Sequence, residues 1–346
     1  MKILLVCERS AGHVFSALGF AQKFLRSGQC RAQDIYFFIT APFLKKEIED
    51  KGFVVLGHGF KHRNFVVEFF WRFIEAVYLL IKIKPAKVIG FGGRDSFFLV
   101  ILSSIFTRKV YIYEPNLKMG RANMFLRRFS KKVFRGFPAL LPEVNEITVG
   151  IPLREEIVAV KKEIARQQLG LGKEVVVFCF GGSQGAEFVN AKFRDFIGEY
   201  PNLCQVIHIT GKRECFKIKQ FYNRMGVRSF VKDFYYSVEV LYSAADIVVS
   251  RAGALSLGEI SFFGLPALLI PHPQGGGHQK TNALYFQERN AARVFLQDGF
   301  SFREFKEALI ELINNQHARE RMSDNSRAIQ LGRNFQDFCT GISFGL

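Results

Sequence analysis

No C-x-x-C pair occurs in the chain, and none of its six cysteines (Cys7, Cys30, Cys179, Cys204, Cys215 and Cys339) joins a histidine at metal-ligand spacing. That usage argues against a zinc cluster and fits a reduced compartment. Long apolar runs are also missing: the longest uncharged one, from 96 to 107, falls well short of the ~20 residues a spanning helix needs. A soluble or peripheral protein is therefore expected. The first residues, Met1-Lys-Ile-Leu-Leu-Val6, reach the charged Glu8 and Arg9 too soon for a signal peptide, so they read as a first buried strand of a protein made in the cytoplasm. Neither a short-period repeat nor a low-complexity tract occurs.

What is present is a chain of 346 residues, 49% hydrophobic and 23% charged, enough at ~150 residues per domain for two globular domains with ample cores. Forty-eight Lys and Arg against 31 Asp and Glu leave a net charge of +17, so anionic partners are favoured: a phosphorylated small molecule, a nucleic acid or the negative cytoplasmic leaflet. No helix-turn-helix, RNA-binding-sheet or zinc signature supports the nucleic acid. Phe is abundant, at 39 residues, and concentrated in a helical pattern from 65 to 84. One reading of that pattern is a core helix packed on a sheet. The other is an interfacial patch, with Phe and Trp entering the acyl boundary while Lys61, Arg63, Arg72, Lys82 and Lys84 meet anionic headgroups.

Short runs rich in Val and Ile alternate with helical patterns at 2–6, 34–39, 87–90, 110–113, 174–180, 204–210, 247–250 and 266–270. Such alternation means βαβ units, and continuous apolar runs such as Val175-Val-Val-Phe-Cys-Phe180 fit parallel strands covered on both faces. The fold class is α/β. A glycine-bearing turn follows the first strand at Ser10-Ala-Gly-His13, and another follows the strand ending at Phe180, so a doubly wound sheet restarts midway. Gly150-Ile-Pro-Leu-Arg154 leads into a charged helix expected over 155–169, which places the interdomain linker near 150–156. Residues 318–346 read as one or two polar helices able to fold back onto the first domain.

The strongest chemical signal is Val177-Phe-Cys-Phe-Gly-Gly-Ser-Gln-Gly-Ala186. A strand that ends in close glycines and opens a helix presents bare N–H groups and a positive dipole end to a phosphate, here with Ser183 as a further donor. The alternative is a tight turn with no ligand. Gly90-Phe-Gly-Gly-Arg-Asp-Ser96 repeats the device, with Arg94 supplying charge. After another strand comes Ser250-Arg-Ala-Gly-Ala-Leu-Ser-Leu-Gly-Glu-Ile260, whose Glu259 suits the vicinal hydroxyls of a ribose or, failing that, a neighbouring base. A flexible loop from 271 enters a helix at His278 and Gln279, where side chains reach sugars. No D-x-D occurs to hold a bridging metal, so amides, helix dipole and Arg are left to neutralise a leaving diphosphate. His13 is either a general base near neutral pH or a structural hydrogen-bonder.

Together Gly12-His-Val-Phe15, Gly90-Phe-Gly-Gly93, Glu114-Pro-Asn116 with Gly120 and Asn123, Gly150-Ile-Pro-Leu-Arg154, Gly181-Gly-Ser-Gln-Gly-Ala186, Arg251 to Glu259 and His278-Gln-Lys-Thr-Asn-Ala283 resemble the motifs of the MurG family. These are UDP-N-acetylglucosamine transferases that convert lipid I, undecaprenyl-pyrophosphoryl muramyl-pentapeptide, into lipid II in bacterial peptidoglycan synthesis. The resemblance runs from about residue 2 to beyond 330. It implies a GT-B architecture, two Rossmann-like doubly wound parallel-sheet domains facing a cleft. Residues 1–152 would face acceptor and membrane, with a C-terminal helix of about 330–346 packed back on them, and 153–329 would hold UDP-N-acetylglucosamine.

By motif position the resemblance assigns Arg154 and Gly182, Ser183, Gln184 and Gly185 to the diphosphate, Glu259 to the ribose, and Gln279 with Asn116 to the transferred sugar. Gly253, Ala254 and Leu255 join the donor site, and the backbone near Phe234 and Tyr235 reads the uracil edge. Gly12, Gly92, Gly93, Arg94 and Glu114 fall to the acceptor, and His13 would take the proton from its 4-hydroxyl, with inversion and with neither metal nor cofactor. The implied partners are the UDP-sugar, lipid I and the anionic cytoplasmic face of the inner membrane, not nucleic acid. The chain departs from the family pattern on the acceptor side: Cys7-Glu-Arg-Ser-Ala-Gly-His13 stands where G-G-x-G-G-H is usual, Arg94 replaces a frequent aromatic residue, and Pro115 interrupts H-E-Q-N. Those departures motivate an alternative, a GT-B relative acting on another lipid or a small acceptor. Joint retention of His13, Arg154, Glu259 and Gln279 argues against a sugar-binding protein without turnover. An incomplete G-x-G-x-x-G argues against a dinucleotide oxidoreductase.

Overall fold

Parallel strands covered on both faces can carry almost no polar side chain, and the Val- and Ile-rich runs of the sequence become the central strands of two sheets. A computed structural model describes residues 1–7, 11–28, 30–40, 44–56, 65–93, 97–107, 109–139, 143–182, 185–274 and 276–332, and divides them into two units, Met1–Glu155 and Glu156–Gly332.

The first unit contains β1 (Ile3–Val6), α1 (Ala11–Arg26), β2 (Ile35–Phe38), α2 (Lys45–Glu49), β3 (Val54–Leu56), α3 (Phe65–Ile83), β4 (Lys87–Gly90), α4 (Phe97–Phe106), β5 (Val110–Glu114), α5 (Arg121–Leu126), β6 (Lys132–Arg135) and β7 (Glu146–Thr148). Its strands lie in the order β3-β2-β1-β4-β5-β6-β7, every pair parallel. Alternate residues of each strand serve opposite faces. Leu4, Val6, Val88 and Ile112 meet Leu79, Leu80 and Ile83 of α3 and Leu99 and Val100 of α4. Phe91, Tyr113 and Phe134 instead surround Phe20 of α1, with ring centroids 5.3–6.1 Å from it.

The second unit contains α6 (Lys162–Gln168), β8 (Val176–Phe180), α7 (Glu187–Glu199), β9 (Gln205–Ile209), α8 (Cys215–Arg224), β10 (Ser229–Lys232), α9 (Val238–Ala244), β11 (Ile247–Ser250), α10 (Ala254–Phe263), β12 (Ala267–Leu269), α11 (His278–Gln287), β13 (Ala292–Val294), α12 (Phe302–Asn314) and α13 (Gln316–Ile329). The order β10-β9-β8-β11-β12-β13, again all parallel, repeats the doubly wound plan. Strand order reverses between β1 and β4 in one sheet and between β8 and β11 in the other. Open α/β sheets bind ligands at such switch points, beyond the carboxyl ends of the strands.

Two local expectations are corrected. The helix expected over 155–169 starts at Lys162, because Glu155 and Val160 donate their N–H groups to Gln22 and Ser243 side chains (3.1 and 3.0 Å), which holds the backbone open. The turn expected at Ser10 to His13 is already helix by Ala11, so Gly12 and His13 stand in the first turn of α1. The polar pattern from 318 falls in α13, which packs on α10 and α12 in the second unit; of the segment expected to fold back on the first unit, about 330–346, residues 333–346 lie outside the described residues.

Candidate active site

At the second switch point β8 runs into Gly181 and Gly182, and α7 opens at Glu187. Gly182 and Gly185 hold φ of +91° and +78°, the left-handed region that suits glycine. A Cβ at Gly185 would collide with the Thr210 carbonyl, so the turn rests directly on the end of β9, whereas at Gly182 none of the described residues beyond its chain neighbours comes within 4 Å and a ligand has room to approach. Ser183 and Gln184 lie outside the described residues.

A buried polar chain supports that turn. Asn190, early in α7, donates from Nδ2 to the Thr210 carbonyl (2.9 Å) and to Glu214 Oε2 (2.6 Å), which leaves its Oδ1 to accept from His208 Nε2 at 3.1 Å. His208 Nδ1 then accepts from the Tyr222 hydroxyl at 2.9 Å. The neighbours thus fix a neutral tautomer. Full burial lowers the His208 pKa to about 3. Nothing in the sequence motifs singled out Asn190 or His208, since buried polar residues in strands and helices carry no spacing signature.

Across the switch point, β11 ends at Ser250 and Gly253 caps α10. The nearest atom to a Cβ at Gly253 would be Ser256 Oγ at 3.9 Å, so its backbone is approachable. Ala254 and Leu255 follow in the first helical turn, whose N–H groups have no intrahelical partner. Glu259, one and a half turns on, is 8% exposed and accepts from the Tyr242 hydroxyl at 2.8 Å through Oε2. Arg251 is structural: its Nη1 donates to the Ile270 and Pro271 carbonyls (3.0 and 3.1 Å) and its Nη2 to Gln297 (2.9 Å), tying the start of the 271–277 loop to β11. Gln279 lies in the first turn of α11, and its Oε1 accepts from the His272 N–H at 3.0 Å, so its NH2 group is the part available to a ligand. Phe234 and Tyr235 follow β10, where Phe234 N–H is held by Asp233 Oδ1 at 2.9 Å.

The first unit carries the remaining candidates, all beyond carboxyl ends of its strands. Half-buried Gly12 and His13 follow β1, and Gly92 and Gly93, with φ of +87° and +102°, follow β4. Arg94 lies outside the described residues. Glu114, at the end of β5 and 2% exposed, is a clamp: Oε1 accepts from the backbone and side-chain nitrogens of Asn116 (both 3.0 Å), and Oε2 accepts from Gly120 N–H and Asn123 Nδ2 (both 2.9 Å). That carboxylate orients Asn116 and faces inward. Arg154, 7% exposed, lays its guanidinium 4.3 Å from the Phe15 ring centroid, two residues from His13. The donor set of the sequence is therefore split: Gly182, Gly185, Gly253, Ala254, Leu255, Glu259 and Gln279 stand on the second unit, Arg154 and Asn116 on the first.

The core reading of the aromatic helix holds on one face, and the opposite face is exposed and apolar. Ala76, Leu79, Leu80 and Ile83 form the buried stripe of α3. Phe70, Ile74, Tyr78 and Ile81 form a second stripe, each more than half exposed, and Ile105 and Phe106 of α4 and Met124 and Phe125 of α5 are exposed as well. Arg72, expected among the headgroup contacts, instead turns to Glu68 at 2.5 Å and is largely covered. Lys82 and Lys84 are exposed, and Lys61 and Arg63 lie outside the described residues. Among the described residues no helix is long and apolar enough to cross a membrane.

Residues 3–135 match the glycosyltransferase family 28 N-terminal domain, and residues 176–337 match the family's C-terminal domain. The protein of Halothermothrix orenii named UDP-N-acetylglucosamine–N-acetylmuramyl-(pentapeptide) pyrophosphoryl-undecaprenol N-acetylglucosamine transferase is 31% identical over 94% of both chains. Its namesake from Desulfotalea psychrophila is 30% identical over 95% of this chain and 92% of its own. Among solved structures, MurG of Acinetobacter baumannii superposes with a TM-score of 0.76 at 21% identity, covering 98% of this chain and 99% of that one. A UDP-GlcNAc 2-epimerase of Neisseria meningitidis bound to UDP-GlcNAc shares the fold more distantly, with a TM-score of 0.69 at 12% identity over 98% of this chain and 99% of that one.

Proposed function

The chain belongs to the MurG family of UDP-N-acetylglucosamine–N-acetylmuramyl-(pentapeptide) pyrophosphoryl-undecaprenol N-acetylglucosamine transferases, within glycosyltransferase family 28, and from that premise we propose that it converts lipid I to lipid II. It moves N-acetylglucosamine from UDP-N-acetylglucosamine to the 4-hydroxyl of the muramyl sugar. One observation carries this reading. A single sheet edge joins an open glycine turn at Gly182, leading into α7, with the buried carboxylate of Glu259 on α10. The turn suits a diphosphate and the carboxylate suits ribose hydroxyls.

In this mechanism the acceptor oxygen attacks the anomeric carbon from the face opposite the nucleotide, and His13 takes its proton. The bond from that carbon to the β-phosphate oxygen breaks, the electron pair leaves with UDP, and the configuration inverts. Main-chain N–H groups around Gly182 and Gly185, the α7 dipole and Arg154 stabilise the departing charge. The N–H groups from Gly253 to Leu255 add to the donor site. Gln279 donates to the hexose from its NH2 group, and Asn116, oriented by Glu114, joins it. Gly12, Gly92, Gly93 and Arg94 attend the acceptor pyrophosphate.

The same reading makes the enzyme peripheral on the cytoplasmic face of the bacterial inner membrane. The exposed stripe of α3 with its neighbours on α4 and α5 supports this, as does a charge bias, since residues 1–155 hold 25 Lys and Arg against 12 Asp and Glu. The decisive assay offers labelled UDP-N-acetylglucosamine with lipid I in detergent, beside a polyprenyl pyrophosphate lacking the muramyl sugar. Label is expected in the lipid I product. Label in the control lipid alone would replace this acceptor with another, and label in neither would remove the activity.

A further inference from the structure

Tyr242 belongs to none of the glycine motifs, yet its hydroxyl touches the Glu259 carboxylate. It projects from α9, is 2% exposed, and sits among aromatic rings. Phe263 stacks on it at 5.2 Å and 14°, while Phe178 and Phe180 meet it edge-on at 5.2 and 5.9 Å. Rings packed on several sides leave the phenol little freedom, so its hydroxyl has a fixed position. From there it donates to Glu259 Oε2 at 2.8 Å.

We infer that Tyr242 is a positioning residue for nucleotide recognition: its clamped hydroxyl holds the Glu259 carboxylate in the orientation that accepts the ribose hydroxyls of a uridine nucleotide. The inference rests on the proposed reading of Glu259. An unsupported glutamate side chain has several rotamers and would lose part of its affinity in ordering one. A hydrogen bond to a carboxylate is stronger than one between neutral groups and also offsets some of the desolvation of a charge that is only 8% exposed. Burial and the neighbouring negative charge push the Tyr242 phenol well above its ordinary range, so it remains a donor throughout the working pH. A tyrosine serving only to fill the core would need no such contact, and its loss would not depend on which nucleotide is bound.

Calorimetric titration of UDP and 2′-deoxy-UDP into the wild type, Tyr242→Phe and Glu259→Gln separates the two roles. Tyr242→Phe keeps the ring and its packing. It is expected to weaken UDP about tenfold, the equivalent of one charge-assisted hydrogen bond, and to weaken 2′-deoxy-UDP, which keeps only one of the two hydroxyls, by a smaller factor. Turnover assays of the same variant are expected to show a donor KM raised by a similar factor and kcat within about twofold, the mark of uniform rather than transition-state binding. An unchanged preference for UDP in Tyr242→Phe, beside a lost preference in Glu259→Gln, overturns the inference and leaves the ribose assignment standing. An unchanged preference in Glu259→Gln overturns both. Phe263→Leu, which keeps the hydroxyl but removes the stacked ring, is expected to give a smaller fall in the same preference, and no fall there contradicts the inference even if Tyr242→Phe does not fold.

Discussion

Lowering the pH from 8 to 5 is expected to destabilise the second unit by about 2 kcal/mol through His208 alone. In the folded chain this imidazole is neutral, with a pKa of about 3, because burial disfavours the cation. In the unfolded chain it returns to ~6.5 and binds a proton as the pH falls. A group whose folded pKa is depressed contributes its full stability above the unfolded value and loses it as the pH drops toward the folded one, here between ~6.5 and about 3. At pH 5 the unfolded imidazole is about 97% protonated and the folded one about 1%, which by linkage amounts to about 2 kcal/mol. The consequence reaches the site, because the chain Tyr222, His208, Asn190 and Thr210 underlies the turn at Gly185. Urea denaturation followed by far-ultraviolet circular dichroism, at pH 8 and pH 5, measures the wild type against His208→Gln. Other titrating groups cancel in the difference. The wild type is expected to lose about 2 kcal/mol more than the variant on acidification; equal losses would refute the assignment of a neutral buried imidazole.

Two glycines separate packing from ligand approach. Gly185→Ala is expected to destabilise the protein by more than the ~1–2 kcal/mol of a left-handed non-glycine residue, because its Cβ also meets the Thr210 carbonyl; Gly182→Ala carries only the conformational cost and is expected to show mainly weakened UDP binding, both read by thermal shift and calorimetry. His13→Ala is expected to lower kcat by ~10² to 10⁴ with UDP affinity unchanged, and near-normal turnover would remove it as the base. The pair Phe70→Ser with Ile74→Ser, at side chains 60% and 59% exposed, is expected to leave stability within about 0.5 kcal/mol while reducing co-sedimentation with anionic vesicles, and undiminished binding would contradict the membrane reading.

Central strands were legible because burial on both faces leaves a continuous apolar run: the runs at 2–6, 87–90 and 247–250 coincide with β1, β4 and β11 within a residue. The missing strands were β3, β7, β10 and β13 at the sheet edges and β6 one strand in. Each has only three or four residues, and several carry charge, as in Lys132-Val-Phe-Arg135, so the pattern cannot be told from a loop. The site divides along the same line. Glycine turns after strands can be read from sequence because positive φ and close approach demand a particular residue, as at Gly182 and Gly185. The polar groups beneath them cannot. Glu114 was expected to meet the acceptor but is closed on Asn116, Gly120 and Asn123, and Tyr242 and His208 act through contacts between residues 14 to 18 positions apart that no local spacing encodes.

The proposed transfer requires a nucleotide sugar held by main-chain nitrogens and a buried carboxylate of the second unit. Calorimetric titration of UDP-N-acetylglucosamine into the protein in buffer containing a chelator tests this most directly. Saturable binding near one molecule per chain, weakened by Gly182→Ala, is the predicted result. No binding heat, or binding restored only by adding a divalent ion, would contradict it.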